Sequence, residues 1–134
     1  AIDASNFFLF TPEKILLSLG VDVSNEIYIN ANAGSWRVIG VIGGVGQIST
    51  ALGSVVAGRN VLAVSMQGGA CLGVVTGGAV VSLGTMSAMP SMPELYVGRY
   101  ARATGFEPNA PIEIVAVYPR ACTAGELTAL VNNF

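Results

Sequence analysis

The side chains that most often perform acid–base or metal chemistry are scarce in this sequence. There is no histidine, so the commonest general base and the commonest metal ligand are both absent. The two cysteines, Cys71 and Cys122, lack C-x-x-C spacing, and two thiols cannot complete a structural zinc site alone. Their context favours two free thiols that pack as small apolar side chains, with a disulfide as the alternative.

The carboxylates are confined to the two ends of the chain, because no Asp or Glu occurs from Ile27 to Pro93. Glu107 and Glu113 lie close to prolines, a context typical of solvated turn or edge charges. Lys14 is the one candidate base for a Ser, Tyr or Cys nucleophile. We therefore predict no catalytic residues, no metal ion, no cofactor and no enzymatic activity.

The segment VIGVIGGVGQISTALG, Val38 to Gly53, is the one stretch that invites a specific chemical interpretation. A strand followed by Gly44-x-Gly46-x-x-Ser49 and an apolar helical spacing resembles the Rossmann dinucleotide-binding fingerprint. The resemblance implies that Gly43–Ser49 would bind phosphates through backbone N–H groups. However, Ser49 replaces the third Gly or Ala, and no acid follows to hold a ribose. We therefore expect no nucleotide cofactor, and a small ligand-binding module using this turn is an alternative function.

A membrane span is a second interpretation of the same segment. No charge lies between Arg37 and Arg59, and Gly40 with Gly44 forms a GxxxG pair. Four polar side chains between residues 47 and 54 and frequent glycine count against an inserting helix. An integral membrane component is therefore kept only as an alternative.

The interpretation that we favour for this segment is structural: a buried strand, a tight glycine turn and a second element on the same core. Residues 47–57 stay open between helix and strand, because Ile48, Leu52 and Val56 share one face at either period. The segment SWRVIGVI is apolar almost throughout, which predicts a β-strand that is covered on both faces.

Helix signals occur near both ends of the chain. Thr11 as N-cap, Pro12 at the first helical position and Gly20 as a stop predict a short helix over residues 12–19. Thr123 and Glu126 have capping-box spacing and predict a short C-terminal helix.

Strand signals dominate the rest of the chain. Gly77-Gly78 between two apolar runs predicts a β-hairpin. The other predicted strands are NEIYINA, SWRVIGVI, NVLAVSM, ELYVGRYARA and PIEIVAVY. We predict a mainly β, single-domain β-sandwich or barrel-like fold over residues 1–134 with short N- and C-terminal helices, α+β being the alternative.

The composition points to a protein covered by neighbours rather than to a free monomer. Hydrophobic residues make up 52% of the chain and charged residues 10%, with a mean hydropathy of +0.64. The net charge of −2 argues against direct nucleic-acid binding. Residues 1–10 form a candidate apolar arm, in which Phe7, Phe8 and Phe10 are candidate subunit-interface residues. The alternative is that these three rings close the protein's own core.

We therefore predict a non-enzymatic structural subunit of a larger assembly. By analogy of composition, that assembly is a viral or phage virion, in which the chain serves as a coat, decoration or minor shell subunit. The expected partners are copies of the chain itself and other shell proteins, and the expected location is the virion.

Overall fold

The computed structural model describes residues 2–3, 14–22, 24–66, 69–87, 94–98, 112, 115–116 and 120–134. These residues contain ten strands and one helix. In chain order they are β1 (Ile2–Asp3), β2 (Lys14–Asp22), β3 (Asn25–Asn32), β4 (Ser35–Ile42), β5 (Val45–Ser54), β6 (Arg59–Asn60), β7 (Leu62–Ser65), β8 (Gly69–Val75), β9 (Val81–Met86), β10 (Leu95–Val97) and α1 (Ala124–Asn133). The prediction of a mainly β fold is confirmed.

The larger sheet has five antiparallel strands in the order β10-β2-β3-β4-β5. Its central strand, β3, alternates apolar and polar residues, which places Ile27, Ile29 and Ala31 on one face. Ala31 pairs with Trp36 on β4, and Ile29 pairs with Val38. All five side chains are buried, so this face forms half of the main core.

The smaller sheet, in the order β7-β8-β9, supplies the other half of that core. Cys71, Val75, Leu83 and Met86 are buried in the same cluster as the large sheet's inner face. The two sheets also meet edge to edge, because the hydroxyl of Thr50 on β5 donates to the Leu83 carbonyl on β9 at 3.1 Å. The result is two packed antiparallel sheets, with the β1–β6 pair as a short additional ribbon.

Helix α1 packs on the opposite face of the smaller sheet. Leu127 and Val131 are buried in a second cluster with Val61 and Val74. The predicted capping box is present, since Thr123 accepts from the Glu126 backbone and the Glu126 side chain accepts from the Thr123 backbone. The C-terminal helix is therefore confirmed.

The predicted helix over residues 12–19 is wrong, because this segment lies in strand β2 from Lys14 onward. The capping signal was purely local, whereas β2 pairs with β3 along most of its length. Leu17 pairs with Ile29 and Leu19 with Ile27, which extends the apolar inner face by two aliphatic residues. Cross-strand pairing and burial outweigh weak helix propensity in so short a segment.

The ambiguous segment 47–57 is a strand as far as Ser54, within β5. Ile48 and Leu52 are buried on the inner face, at the period of two. The predicted hairpin at Gly77-Gly78 joins β8 to β9, although the connection is longer than two residues. Most of the predicted strand PIEIVAVY lies outside the described residues.

Candidate functional site

The glycine-rich stretch makes a tight turn between two strands. Gly43 and Gly44, with φ angles of 61° and 76°, join β4 directly to β5. Two consecutive positive φ angles are the signature of the turn that best fits a twisted hairpin. Since a strand follows this turn, no helix N-terminus is formed at Gly43–Ser49 to attract a phosphate.

The backbone donors of this turn are already used within the protein. Gly43 N–H donates to Asn25 Oδ1 at 3.0 Å, and Gly44 N–H donates to the Ser24 carbonyl at 2.8 Å. The neighbouring turn is itself fixed, because Asp22 Oδ1 accepts from the Ser24 and Asn25 N–H groups, each at 2.8 Å. The two glycine N–H groups thus connect the β4–β5 turn to the β2–β3 turn by hydrogen bonds. The resemblance to a dinucleotide-binding turn does not extend beyond the spacing of the glycines.

The predicted interface residues Phe7, Phe8 and Phe10 lie outside the described residues. Of the candidate arm, Ile2–Asp3 forms strand β1, which pairs antiparallel with β6. The start of the arm is therefore tied to its own chain. The three phenylalanines remain a prediction.

The outer face of the five-stranded sheet, which points away from the main core, combines polar and aromatic side chains. One row crosses the sheet in register through Tyr96, Ser18, Tyr28, Ile39 and Ser49. We call these five residues the central row. Tyr28, Ile39 and Tyr96 are half-buried and Ser18 is buried, whereas Ser49 is exposed.

Two further pairs flank the central row on the outer face. Asn30 pairs with Arg37 on one side, and Glu26 pairs with Val41 on the other. Glu26 and Asn30 are 5% and 2% exposed, although their alternation with isoleucines is typical of solvent-facing positions. The outer face therefore combines aromatic, aliphatic and charged side chains that are held in place rather than fully solvated.

Arg37 is the half-buried cation of this face. Its Nη2 donates to the Ser49 hydroxyl at 3.1 Å. Its Nε is buried and donates to no acceptor in the part of the chain that the structure describes. A buried donor that makes no hydrogen bond costs stability, so this nitrogen is an energetic cost of the fold.

The second polar cluster lies at the start of α1. Glu126 accepts from both terminal nitrogens of Arg120, at 3.1 and 2.6 Å, and from the Thr123 N–H at 2.8 Å. The Arg120 guanidinium, followed by the Thr123 donors, lowers the pKa of Glu126 from 4.5 to about 2. The same pairing raises the pKa of Arg120.

A groove of about 270 Å³ runs beside this cluster. It is lined by Arg120, Cys122, Glu126, Ala129, Leu130 and Asn133. Cys71 and Cys122 are both free thiols, as predicted, and Cys122 is only half-buried. Glu126 caps the N-terminus of α1 and Arg120 pairs with Glu126, so both charged groups in the groove have a structural role.

Among the described residues, no group of three or more His, Cys, Asp or Glu side chains is placed so that it could bind a metal ion. Within that same part of the chain, no helix has the length and hydrophobicity needed to cross a membrane. No protein-family model, curated protein or solved structure matches this chain.

Sequence reasoning missed the outer face of the large sheet. The signal was the alternation in NEIYIN, where Glu26, Tyr28 and Asn30 are two residues apart. Alternation alone predicts solvent exposure for these three residues. Their burial is a property of the folded chain, which single-strand patterns do not reveal.

Proposed function

We propose that this chain is a non-enzymatic structural subunit of a larger assembly. The observation that carries the proposal is the shortage of exposed charge in residues 24–66 and 69–87. Across residues 24–66 and 69–87, Arg59 is the one charged residue that is exposed, since Glu26 is buried and Arg37 half-buried. Exposed positions there are mainly Gly, Ala, Ser and Thr, which lose little side-chain entropy when a neighbour covers them.

Exposed aliphatic side chains add to the tendency to associate. Val45 is 61% exposed and Val97 is 43% exposed, and Val56 and Leu95 are also exposed. Burial of apolar surface stabilises by roughly 25 cal/mol per Å², so covering several such residues at once favours a complex. Contacts of this kind suit copies of the chain itself and other shell proteins.

The assembly that we propose is a viral or phage virion, with the chain as a coat, decoration or minor shell subunit. Support comes from composition: a histidine-free, charge-poor β domain rich in Gly, Ala and Val suits a closely packed shell. The arm residues Phe7, Phe8 and Phe10 are proposed as anchors in that interface, because aromatic anchors dominate many interfaces.

Light scattering after size exclusion tests the proposal directly. The wild-type chain should elute as an oligomer in detergent-free buffer. Replacing Phe7, Phe8 and Phe10 together by Ala should weaken association by about tenfold or more while keeping the β circular-dichroism spectrum. A stable wild-type monomer at high concentration would contradict the assembly proposal. Unfolding of the triple variant would instead assign the three rings to the protein's own core.

A further inference from the structure

We infer that Gln47 and Thr50 on β5 form a latch that holds β5 against β9, and that this latch keeps the two strand edges from pairing with a second copy of the chain. The line along which these two edges meet is called the seam below. The latch is a contact within one chain, so it does not depend on the proposed assembly function.

Strands β5 and β9 lie side by side without forming a ladder with each other. Strand β5 ends the five-stranded sheet and β9 ends the three-stranded sheet, and the two strands are in contact. A strand edge presents backbone N–H and C=O groups that can pair with a strand of another chain. The two edges therefore need protection.

The usual sequence devices against edge pairing are missing from these two strands. Neither VGQISTALGS (β5) nor VSLGTM (β9) contains a proline or a charged residue. Charged side chains and prolines are common means of blocking an exposed edge. Protection of this seam must therefore come from how the two edges meet.

Register shifts in both strands provide the contacts that close the seam. Gln47 falls in a shift of the β4–β5 ladder and has no partner on β4. Leu83 falls in a shift of the β8–β9 ladder and has no partner on β8. Bulges of this kind interrupt the ladder and re-aim side chains. Both residues make a hydrogen bond across the seam instead.

The hydrogen bonds of the latch join side chains of β5 to backbone groups at β9. Gln47 Oε1 accepts from the Ser87 N–H at 2.7 Å, and Gln47 Nε2 donates to the Ser87 hydroxyl at 2.9 Å. The Thr50 hydroxyl donates to the Leu83 carbonyl at 3.1 Å. These backbone groups are thereby occupied, and a strand from a second copy cannot use them without displacing the latch.

Apolar packing behind the seam supports the latch but does not replace it. Leu52 and Leu83 are buried in the main core on either side of the seam. Apolar burial is non-directional, whereas a hydrogen bond requires a defined distance and angle. The latch therefore fixes the alignment of the two edges at the place where the seam reaches solvent, since Ser87 is exposed.

Thiol labelling of Cys71 measures opening of the seam. Cys71 on β8 is fully buried in the core between the sheets, and a Cys122→Ser background removes the half-buried second thiol. Thr50→Val together with Gln47→Met removes the latch at nearly constant size, and should speed labelling by about tenfold or more. Ser49→Ala removes a hydrogen bond on the outer face of the same strand and should leave the rate nearly unchanged.

Aggregation measurements identify what the open edges do. The double variant should form thioflavin-T-positive aggregates under conditions in which the wild-type chain does not. Hydrogen exchange in these aggregates should show new protection in residues 45–54 and 81–86. Thr50→Ser keeps the hydroxyl and should behave as wild type. Leu127→Ala controls for lost stability, because Leu127 lies in the second core cluster, on the opposite face of the smaller sheet.

Three results would overturn the latch: unchanged Cys71 labelling, faster labelling without aggregates, or equal aggregation of Leu127→Ala at the same free energy of unfolding. The single variant Thr50→Val, which exchanges a hydroxyl for a methyl group, applies the same tests if the double variant does not fold. All three results leave the light-scattering test of the proposed function unaffected, because that test uses the wild-type chain with its latch intact.

Discussion

Close contact between the two sheets depends on the absence of a side chain at Gly73. A Cβ atom at this position of β8 would lie 2.3 Å from Leu52 Cδ2 on β5, and 3.3 Å from Leu83 Cδ2 and Val64 Cγ1. Leu52 is buried, so its methyl group has little room to move away. The glycine therefore sets how near the smaller sheet can approach the larger one.

We expect Gly73→Ala to lower the free energy of unfolding by about 1–3 kcal/mol, because overpacking a close-packed core forces neighbours out of their preferred rotamers. Urea denaturation followed by circular dichroism measures the change. Gly46→Ala is the matched control, since an added Cβ there meets no atom within 4 Å. Equal stability of the two variants would contradict the close-approach role of Gly73.

Glu126 makes a pH-dependent contribution to stability through its contacts with Arg120 and Thr123. Its folded-state pKa of about 2 lies below the ordinary value of 4.5. A lowered carboxyl pKa means that the contribution is complete above about 4.5 and is lost as the pH falls towards about 2. Because the pair is solvent-exposed, we expect a small effect that salt reduces.

Nuclear magnetic resonance titration of the Glu126 carboxyl group checks this expectation. In the Arg120→Gln variant the Glu126 pKa should rise towards 4.5, because the largest stabilising contact of the carboxylate is removed. The Thr123 donors remain, so the return should be partial. The same pKa in both proteins would show that Arg120 does not hold the carboxylate in solution.

The loop between β5 and β6 is organised around one buried amide, Asn60. Its Oδ1 accepts from Trp36 Nε1 at 3.0 Å and from the Val56 N–H at 3.2 Å. Its Nδ2 donates to the carbonyls of Val56 and Gly58 at 2.8 and 2.9 Å. One fully buried side chain thus closes the loop and fixes it to the core tryptophan.

We expect Asn60→Ala to lower the free energy of unfolding by about 2–4 kcal/mol, because several buried polar groups lose their partners. Thermal and urea denaturation measure the loss. In the Trp36→Phe background the indole donor is already gone, so the additional loss from Asn60→Ala should be smaller. Additive losses in the double variant would mean that the Trp36–Asn60 bond contributes little.

Sequence patterns predicted those elements whose signals are local and agree with their tertiary surroundings. The capping box of Thr123 and Glu126 marked the start of α1, and Gly77-Gly78 marked a hairpin. The N-terminal segment failed because Pro12 and Gly20 give helix signals while Leu17 and Leu19 pair with β3. That pairing depends on residues more than five positions away, which a local pattern does not contain.

The sequence predicted the outer face of the five-stranded sheet only in part. The shortage of charge between Ile27 and Pro93 indicated covered surfaces without saying which ones. Bringing Tyr96 beside Ser18 and Tyr28 requires β10 to join β2, a pairing between strands far apart in the chain. Strand order is set by the packing of the whole molecule, so the outer face emerged only from the structure.

For the molecule as a whole, the balance between apolar and charged surface determines how association should respond to salt and temperature. The net charge is −2 and charged residues are only 10% of the chain, so copies repel one another weakly. In the proposed assembly we therefore expect association to depend mainly on apolar burial, which weakens on cooling near room temperature.

We therefore expect the self-dissociation constant to change by less than about threefold between about 50 and 500 mM NaCl, because few exposed charges are available for screening. Cooling from about 35 to 5 °C should raise the dissociation constant, as hydrophobic association weakens in the cold. Isothermal dilution calorimetry should give a negative heat-capacity change of association, the marker of buried apolar surface. A steep loss of association with salt would instead assign the contact to exposed charges, which among the described residues are those of Asp22, Arg59, Glu94 and Arg120, with Glu126 partly exposed.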